Sequence, residues 1–274
     1  MPQGSPTIVI ISSLRDPASK NISTRLVERH GFTSTGVNLL GNPVFQKDSL
    51  LLAAFDEEII RPPDLDSFFN PLAYIFLSRH SAESRIASLT AHTTGNFSSE
   101  ARLGGKSREL GRVNPDLLKN YMLALWKRKD EAKSYKVTIE ATHHGPTSLQ
   151  KPVLFVEIGS SEENWIDRKA AEIVSDALVD SLKSRATWEK VAVAFGGNHY
   201  SEKFSRLLVD GDMSIAAVVP KYALKDFDAE MLAQLLEKCN RFVKYGALDW
   251  KGLGMSKDKI TELLKQFGLE AVRV

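Results

Sequence analysis

Cysteine, long apolar runs and strong net charge are nearly absent from this 274-residue chain, and each absence excludes a class of protein. The single cysteine, Cys239, excludes an internal disulfide framework and fits a reducing compartment. No run of about 18 apolar residues occurs, so we expect no membrane-spanning helix. The net charge of +2 gives no global basic field, so any contact with a polyanion must be local. No secretory signal pattern opens the chain, and we expect a disordered leader over Met1–Pro6 and a cytoplasmic protein.

Several sequence signatures of nucleotide-binding proteins and hydrolases are also missing. Neither G-x-x-x-x-G-K-[ST] nor G-x-G-x-x-G occurs, which argues against a P-loop and a dinucleotide fold. The absence of G-x-S-x-G counts against a serine hydrolase of the α/β class, and the absence of H-E-x-x-H counts against a zinc peptidase. Cys239 lies in an apolar helical pattern, which indicates packing and not nucleophilic chemistry.

Apolar strands alternate with amphipathic helices along the whole chain. This alternation predicts an α/β fold in which helices cover both faces of a mostly parallel or mixed sheet. We see no internal repeat and no linker, so one domain over residues 1–274 is favoured. The predicted strands are Thr7–Ser13, Val44–Phe45, Ser49–Ala54, Leu72–Leu77, 137–142, Val153–Ile158, Val191–Phe195 and Ile215–Val219, and the predicted helices are Ala18–His30, Pro115–Lys133, Asn164–Ser184, Ser201–Val209, Ala229–Tyr245 and Ser256–Phe267.

Two of the predicted strands end in the same way, with glycine and histidine. The stretch Val137–Pro146 alternates apolar and polar residues and then places His143 and His144 before a Gly-Pro turn. The stretch Val191–Tyr200 is an apolar strand followed by Gly196, Gly197, Asn198 and His199. Polar groups beyond the ends of buried strands are where open α/β sheets bind their ligands. We therefore expect one site at one edge of the sheet.

Histidine is the residue type that most strongly indicates chemistry in this sequence. Imidazole is a common zinc ligand, and catalytic zinc sites keep three protein ligands and one open position. Neighbouring side chains on a strand point to opposite faces, so His143 and His144 share a metal only if the chain turns there. A division into one ligand and one acid/base group is the alternative. The six histidines are His30, which we interpret as a helix-terminal cation, His80, His143, His144 and His199, which follow strands, and His92.

Two carboxylates, Glu157 and Glu140, could complete such a site, although Glu140 could equally face solvent or pair with a lysine. Glycine-rich turns offer free backbone N–H groups, so those at Gly145, Gly196 and Gly197 could hold a developing oxyanion. We expect these groups beside the histidines.

A polar insertion, residues 79–112, interrupts the pattern. It carries His92, glycines, Phe97 and several arginines, among them Arg79. One interpretation is a solvated loop, and the other is a mobile basic lip that pairs with RNA phosphates while Phe97 stacks on a base.

Five motifs in this order are similar to those of one enzyme family. They are Ser78-Arg-His80, Ala87–His92 with Gly95-Asn96, Glu140–Thr147, Glu157–Trp165 and Gly196–Tyr200. On these residues, which span nearly the whole chain, it resembles the archaeal and plant type of D-aminoacyl-tRNA deacylase. The resemblance implies hydrolysis of the ester between a D-amino acid and the 3′-terminal ribose of tRNA. It also implies dependence on zinc and a three-layer α/β/α fold similar to phosphorylases and peptidyl-tRNA hydrolases.

Taken together, the residues and the resemblance give a hypothesis for the site. A zinc-bound water with a pKa near 7 would suffice to attack an activated ester, without a serine or cysteine. We expect a monomer or weak homodimer that binds the 3′ end of tRNA. A tRNA- or nucleotide-binding protein without hydrolytic activity is the alternative. The expected metal ligands are His92, His143, His144 and His199, the expected catalytic residues are His143, His144, His199 and Glu157, and the expected substrate contacts are Arg79, His80, Thr142, Gly145, Gly196, Gly197, Asn198 and Tyr200.

Overall fold

Twelve strands and seven helices alternate through residues 8–274, the part of the chain that the computed structural model describes. The leader expected over Met1–Pro6 lies outside these residues. The strands are β1 Ile8–Ser13, β2 Thr33–Leu39, β3 Asn42–Lys47, β4 Leu50–Phe55, β5 Ala73–Ser81, β6 Ser88–His92, β7 Lys136–Ile139, β8 Val153–Ser160, β9 Lys190–Phe195, β10 Met213–Val219, β11 Tyr245–Leu248 and β12 Glu270–Arg273. The helices are α1 Pro17–His30, α2 Pro115–Trp126, α3 Glu162–Trp165, α4 Arg168–Lys183, α5 Glu202–Asp210, α6 Ala229–Lys238 and α7 Lys257–Gln266.

The larger sheet has eight strands in the order β2-β3-β4-β1-β5-β8-β6-β7. Strands β4, β1, β5 and β8 run parallel to one another, and β3 is antiparallel to both β2 and β4. Strand β6 runs antiparallel to β8, and β7 is parallel to β6. Every residue of β1 and β8 is buried, as the β-branched composition of a two-sided strand requires. This mixed, mostly parallel sheet with packed helices confirms the predicted α/β class.

A second sheet of four parallel strands, in the order β10-β9-β11-β12, was not expected. The predicted helix Ala229–Tyr245 is wrong at its end, because α6 stops at Lys238 and Tyr245 begins β11. Strands β11 and β12 have only four residues each, too few for the period-2 pattern to stand out. The single expected sheet edge is therefore the place where two sheets meet.

Helices pack on one face of the larger sheet and on both faces of the smaller one. A continuous core joins α1, α2, α4 and α5 to β5, β6 and β8 of the first sheet and to β9 and β10 of the second. A separate core packs α6 and α7 on the other side of the second sheet. The two sheets therefore share the layer that α2 and α5 provide.

The interpretation of residues 79–112 as a loop or mobile lip is wrong for residues 88–92, whereas residues 93–112 lie outside the named strands and helices, and their pairing with RNA phosphates stays a prediction. Strand β6 lies inside the larger sheet, between β8 and β7, and all five of its residues are buried. Phe97 packs on Phe227 in the core of the second sheet and is not free to stack on a base. Strand β6 alternates polar residues (Ser88, Thr90 and His92) with Leu89 and Ala91, which is the period-2 pattern of a strand, but this short pattern stands within a polar, glycine-containing segment and was missed.

Strand β2 was not predicted, and the predicted helix Pro115–Lys133 is wrong at its end, because α2 stops at Trp126. Helix α1 begins within one residue of the prediction, since the Asp16 carboxylate accepts the Ser19 N–H, and Gly31 closes the helix in a left-handed conformation. The predicted helix Asn164–Ser184 is broken before α4, where the Asp167 carboxylate caps the new helix. None of the helices within residues 8–274 has the length and apolar character needed to cross a membrane.

Candidate active site

One face of the larger sheet changes from apolar to polar along the strands, and this change creates the site. Side chains on paired positions of neighbouring strands share a face. The pairs Ser78–Glu157, Thr90–Glu157 and Thr90–Thr138 therefore place four strands in register on that face. Two residues further along come His80, His92 and Glu140. The opposite face keeps Leu77, Val156, Ile158, Leu89, Ala91 and Ile139 in the core.

Glu140 lies at the centre of the resulting cluster and is 1% exposed. The Nε2 atom of His199 lies 2.9 Å from Glu140 Oε2, and Nδ1 of His80 lies 3.0 Å from the same oxygen. Nε2 of His143 is 3.7 Å away. The alternative in which Glu140 faces solvent or pairs with a lysine is wrong, because three imidazoles surround its carboxylate.

Glu157 forms a second buried carboxylate beside the first. Nδ1 of His80 lies 3.4 Å from its Oε2 and Nε2 of His92 lies 3.6 Å from its Oε1. Buried carboxylates carry a large desolvation cost unless cations or donors compensate it. His80 therefore stands between the two acids and contacts both.

The His143-His144 turn brings two imidazoles over the sheet. His144 has a left-handed backbone conformation with φ of 43°, and the following Gly145-Pro146 peptide is cis. The Gly95 N–H donates to the His144 carbonyl at 2.8 Å, which holds the turn against the end of β6. Because the chain turns here, the neighbouring histidines lie on one side, with ring centroids 4.4 Å apart. The geometric condition for a shared ligand site is met.

Three histidines have their ring orientation fixed in the same way. Nδ1 of His92 faces the Thr93 carbonyl at 3.0 Å, Nδ1 of His143 faces the Ala141 carbonyl at 2.7 Å, and Nδ1 of His144 faces the Gly145 carbonyl at 2.6 Å. A carbonyl accepts only from a protonated nitrogen, so each ring, when neutral, keeps the lone pair of Nε2 for another partner. This is the arrangement in which histidines bind metals. Burial lowers the pKa of His92, but the hydrogen bond and charge of Glu157 outweigh it and raise that pKa, so a metal at His92 would displace a proton.

Several buried ring and carboxylate atoms lack a hydrogen-bond partner, which supports a metal at this place. They include Nε2 of His80, Nε2 of His92, Oε1 of Glu140 and Oε2 of Glu157. Three overlapping groups have ligand atoms within 4.8 Å of one another: His80, Glu140, His143 and His199; His92, His143 and His144; and His92, Glu140 and Glu157. Imidazole and carboxylate donors together fit zinc.

The proton affinities within the cluster are strongly divided. Burial lowers the pKa of His80, but the hydrogen bonds and charges of Glu140 and Glu157 outweigh it and raise that pKa to about 11. Burial and the charge of His92 instead lower the pKa of His144 to about 4. Burial also holds the pKa of His143 well below its usual range. Divided proton affinities among neighbouring groups are typical of functional sites.

The cluster forms the floor of a cleft of about 860 Å³, which we call the large cleft. Its walls include Arg79 and Tyr200, two of the expected substrate contacts. The Arg79 guanidinium lies 5.1 Å above the Trp165 ring. No carboxylate within residues 8–274 pairs with Arg79.

Several of the expected substrate contacts instead make hydrogen bonds or packing contacts within the protein. The Gly145 N–H donates to the Leu103 carbonyl and the Gly196 N–H donates to the Val219 carbonyl, so neither of these two groups is free for an oxyanion. The same expectation for Gly197 stays a prediction. Gly197 packs closely on Gly252, and Asn198 is exposed. Thr142 is buried, and its hydroxyl accepts the Val218 N–H at 3.0 Å.

Two contributors were missed by reasoning from the sequence. The Tyr222 hydroxyl lies 3.2 Å from Nδ1 of His199, and nothing in its sequence context distinguishes it from a surface tyrosine. The buried Asp16 carboxylate caps α1 and accepts the Arg79 N–H at 2.9 Å, which fixes the end of β5. The position of Asp16 after the first strand was a usable signal, since strand ends lie near the site.

The fold and the cluster together define an α/β protein with a histidine–carboxylate site that could hold a metal ion. Comparison with known proteins narrows this class. A family model described as D-aminoacyl-tRNA deacylase matches residues 68–272. The D-aminoacyl-tRNA deacylases of Pyrococcus furiosus and Cenarchaeum symbiosum are each 35% identical to this chain, covering 97% and 94% of it and 99% and 96% of their own lengths.

A crystal structure described as a conserved protein of unknown function is also similar, with a TM-score of 0.90 and 30% identity over 99% of this chain and 96% of that one. The chain belongs to the D-aminoacyl-tRNA deacylase family.

Proposed function

We propose that this protein hydrolyses the ester bond of D-aminoacyl-tRNA and releases a free D-amino acid and tRNA. Membership of the deacylase family supports this substrate. The observation that carries the proposal is the buried cluster of five histidines and two glutamates at the floor of the large cleft. Such a cluster costs stability, because buried charged groups carry a large desolvation penalty. Its presence therefore indicates a function.

Zinc is the cofactor that these donors fit best. His92, His143 and His144 would hold it through Nε2, since their Nδ1 atoms face backbone carbonyls. Three histidine ligands leave one position open, as in catalytic zinc sites. When bound, zinc supplies a Lewis acid that polarises a carbonyl and brings the pKa of water to about 7. His199, the fourth expected ligand, contacts Glu140 and fits proton transfer better.

The proton-handling residues are His199, Glu140 and His80. His199 is partly exposed in the cleft, with Nε2 on Glu140 and Nδ1 on the Tyr222 hydroxyl. The departing 3′-oxygen of ribose needs a proton, and His199 is placed to donate it. Glu140 orients the ring and stabilises its protonated form, as the carboxylate of a catalytic triad does. Glu157 holds His80 and His92 in position.

The 3′ end of tRNA would enter through the large cleft. Arg79 has its guanidinium free for a phosphate, and Tyr200 presents a ring beside His80, with centroids 5.3 Å apart. Gly145, Gly196, Gly197 and Asn198 act by shaping the turns that carry the histidines. A substrate made during translation places the enzyme in the cytoplasm.

We also propose that the chain works as one unit. His199 follows β9 of the smaller sheet, and its partner Glu140 follows β7 of the larger one. A site with residues from both sheets requires the two sheets to keep a fixed relative position. A monomer provides both sheets, so no second copy of the chain is needed to complete the site.

The test is deacylation of matched D- and L-tyrosyl-tRNA by the purified chain. We expect release of D-tyrosine at a rate well above that of L-tyrosine. The alternative, a tRNA-binding protein without hydrolysis, predicts tRNA binding with no release of either amino acid. Stoichiometric binding without turnover of D-tyrosyl-tRNA would reject the proposed function.

A further inference from the structure

A second cavity, of about 400 Å³, opens on the other side of the His143-His144 turn, and we call it the side pocket. Both His143 and His144 line the side pocket and the large cleft, and so do Arg102 and Leu103. The two cavities therefore meet at the imidazoles of the site. A substrate whose reacting carbon lies at these histidines can send one substituent into each cavity.

The side pocket is lined by small and apolar residues together with a few charged ones. Gly95, Thr142, Phe97, Ala223 and Tyr222 line it, and its charged residues are Glu100, Arg102 and Asp226. A side chain at Gly95 would have its Cβ within 2.5 Å of Leu110, so the backbone itself forms that wall. Pockets of this kind, apolar with a few polar groups, are typical of small-ligand sites.

Two large apolar side chains stand exposed at the edges of this pocket. Leu103 is 59% exposed and Tyr222 is 53% exposed. Neither is covered by another part of residues 8–274. Both are nevertheless close to the buried cluster, because the Leu103 carbonyl accepts the Gly145 N–H and the Tyr222 hydroxyl contacts His199. Exposed apolar groups that border a cavity mark a surface that a ligand covers.

The differences between the side pocket and the large cleft indicate which part of the substrate each cavity binds. The large cleft has about twice the volume and carries Arg79, whose guanidinium has no carboxylate partner among residues 8–274. These features suit a nucleotide with its phosphate. The side pocket is smaller and less charged, which suits the side chain of an amino acid.

We propose that the side pocket binds the amino-acid side chain of the substrate and so sets the preference for its size, while the large cleft binds the terminal nucleotide. This inference rests on the proposed function and names the residues that carry its specificity. Ala223 and Ser98 face the pocket from different segments, and neither belongs to the histidine cluster.

The experiment uses two variants that fill the pocket, Ala223→Leu and Ser98→Phe, with Ala186→Leu as an exposed control of matched chemistry. Ala223 is nearly buried, whereas Ser98 is half-buried, so the second variant serves if the first folds poorly. The measured quantity is kcat/KM for D-tyrosyl-tRNA and for D-alanyl-tRNA.

We expect the value for D-tyrosyl-tRNA to fall about 10- to 100-fold, and the value for D-alanyl-tRNA to change less than about threefold, because a filled apolar pocket discriminates by size. Equal losses for both substrates would show that the pocket binds a part common to them and would overturn the proposal. Unchanged values for both in the folded variants would also overturn it. A parent chain that deacylates neither substrate would instead reject the proposed function, and the inference with it.

Discussion

Each imidazole at the site is held by a neighbour that decides which nitrogen is free. His92, His143 and His144 direct Nδ1 to backbone carbonyls, whereas His80 and His199 contact Glu140. The first group keeps Nε2 for a metal, and the second is coupled to a carboxylate and suits proton transfer. The chain thus separates the two roles by hydrogen bonding and not by residue type.

Replacing Glu140 by glutamine tests the proton-handling role. The change keeps the shape of the side chain but removes the charge that His199 and His80 contact. We expect turnover of D-tyrosyl-tRNA to fall about 100-fold or more, as loss of acid/base assistance does. Glu202→Gln, at an exposed ion pair with Lys136, is the control and should keep the parent rate. A Glu140→Gln protein with parent turnover would remove Glu140 from the mechanism.

Replacing His143 by alanine tests the ligand role. The side chain lies between His92, His144 and His199, with ring centroids 4.2, 4.4 and 4.7 Å away. We expect the variant to fold, to lose bound zinc, and to lose about 10²- to 10⁴-fold in turnover. Metal analysis and single-turnover kinetics measure both. Full zinc content together with full activity would contradict the assignment.

Individual elements show what the sequence predicted and what it did not. Strands β1, β5, β8 and β9 were predicted because both of their faces are apolar over most of their length. Strand β6 has the alternation of a strand, but it is only five residues long and lies within a polar segment, so it was missed. The polar positions of this strand form the site, so the residues that it needs for function are among those that made it hard to predict from the sequence.

The turn after β7 depends on close backbone packing. A Cβ at Gly145 would lie 2.2 Å from the Gly105 nitrogen and 2.5 Å from the Gly104 carbonyl carbon. We expect Gly145→Ala to destabilise the fold by about 3 kcal/mol and to displace His143 and His144, so activity falls with stability. Urea unfolding measures the first effect.

Gly31→Ala is the matched control for this change. Gly31 has a φ of 74° and no atom near its Cβ position, so alanine there costs only the left-handed conformation, about 1 kcal/mol, with activity intact. Equal stability of the parent and Gly145→Ala would show that the turn can move away.

At the scale of the whole molecule, the site depends on the position of one sheet relative to the other. Lys119 of α2 helps to fix this position. Its side chain is fully buried, and its ammonium donates to the carbonyls of Gly211 and Met213 at 2.7 and 2.9 Å. Met213 begins β10 of the smaller sheet. A buried lysine is thus the polar contact between a helix of the shared core and the second sheet.

Lys119→Met should lower the free energy of unfolding by about 1–3 kcal/mol, because two buried carbonyls lose their donor. Lys127→Met, at the exposed residue that directly follows the same helix, should change it by less than about 0.5 kcal/mol. Chemical denaturation compares the two. If the two variants are equally stable, Lys119 does not hold the sheets together.

The sequence predicted that the histidines meet, but the structure brings them together in a different way. The prediction relied on the shared edge of parallel strand ends. Strands β6 and β7 instead run antiparallel to β5 and β8, and His199 follows a strand of the second sheet. The central place of Glu140 depends on the register of β6 and β7, and the role of Tyr222 depends on how the second sheet meets the first. Both are long-range properties that no local pattern records.

The measurement that tests the central claim most directly is single-turnover deacylation of D-tyrosyl-tRNA before chelation, after chelation and after zinc is restored. The account predicts a fall of at least about 100-fold on chelation and recovery with stoichiometric zinc. A metal-free protein that still releases D-tyrosine at the parent rate would contradict it.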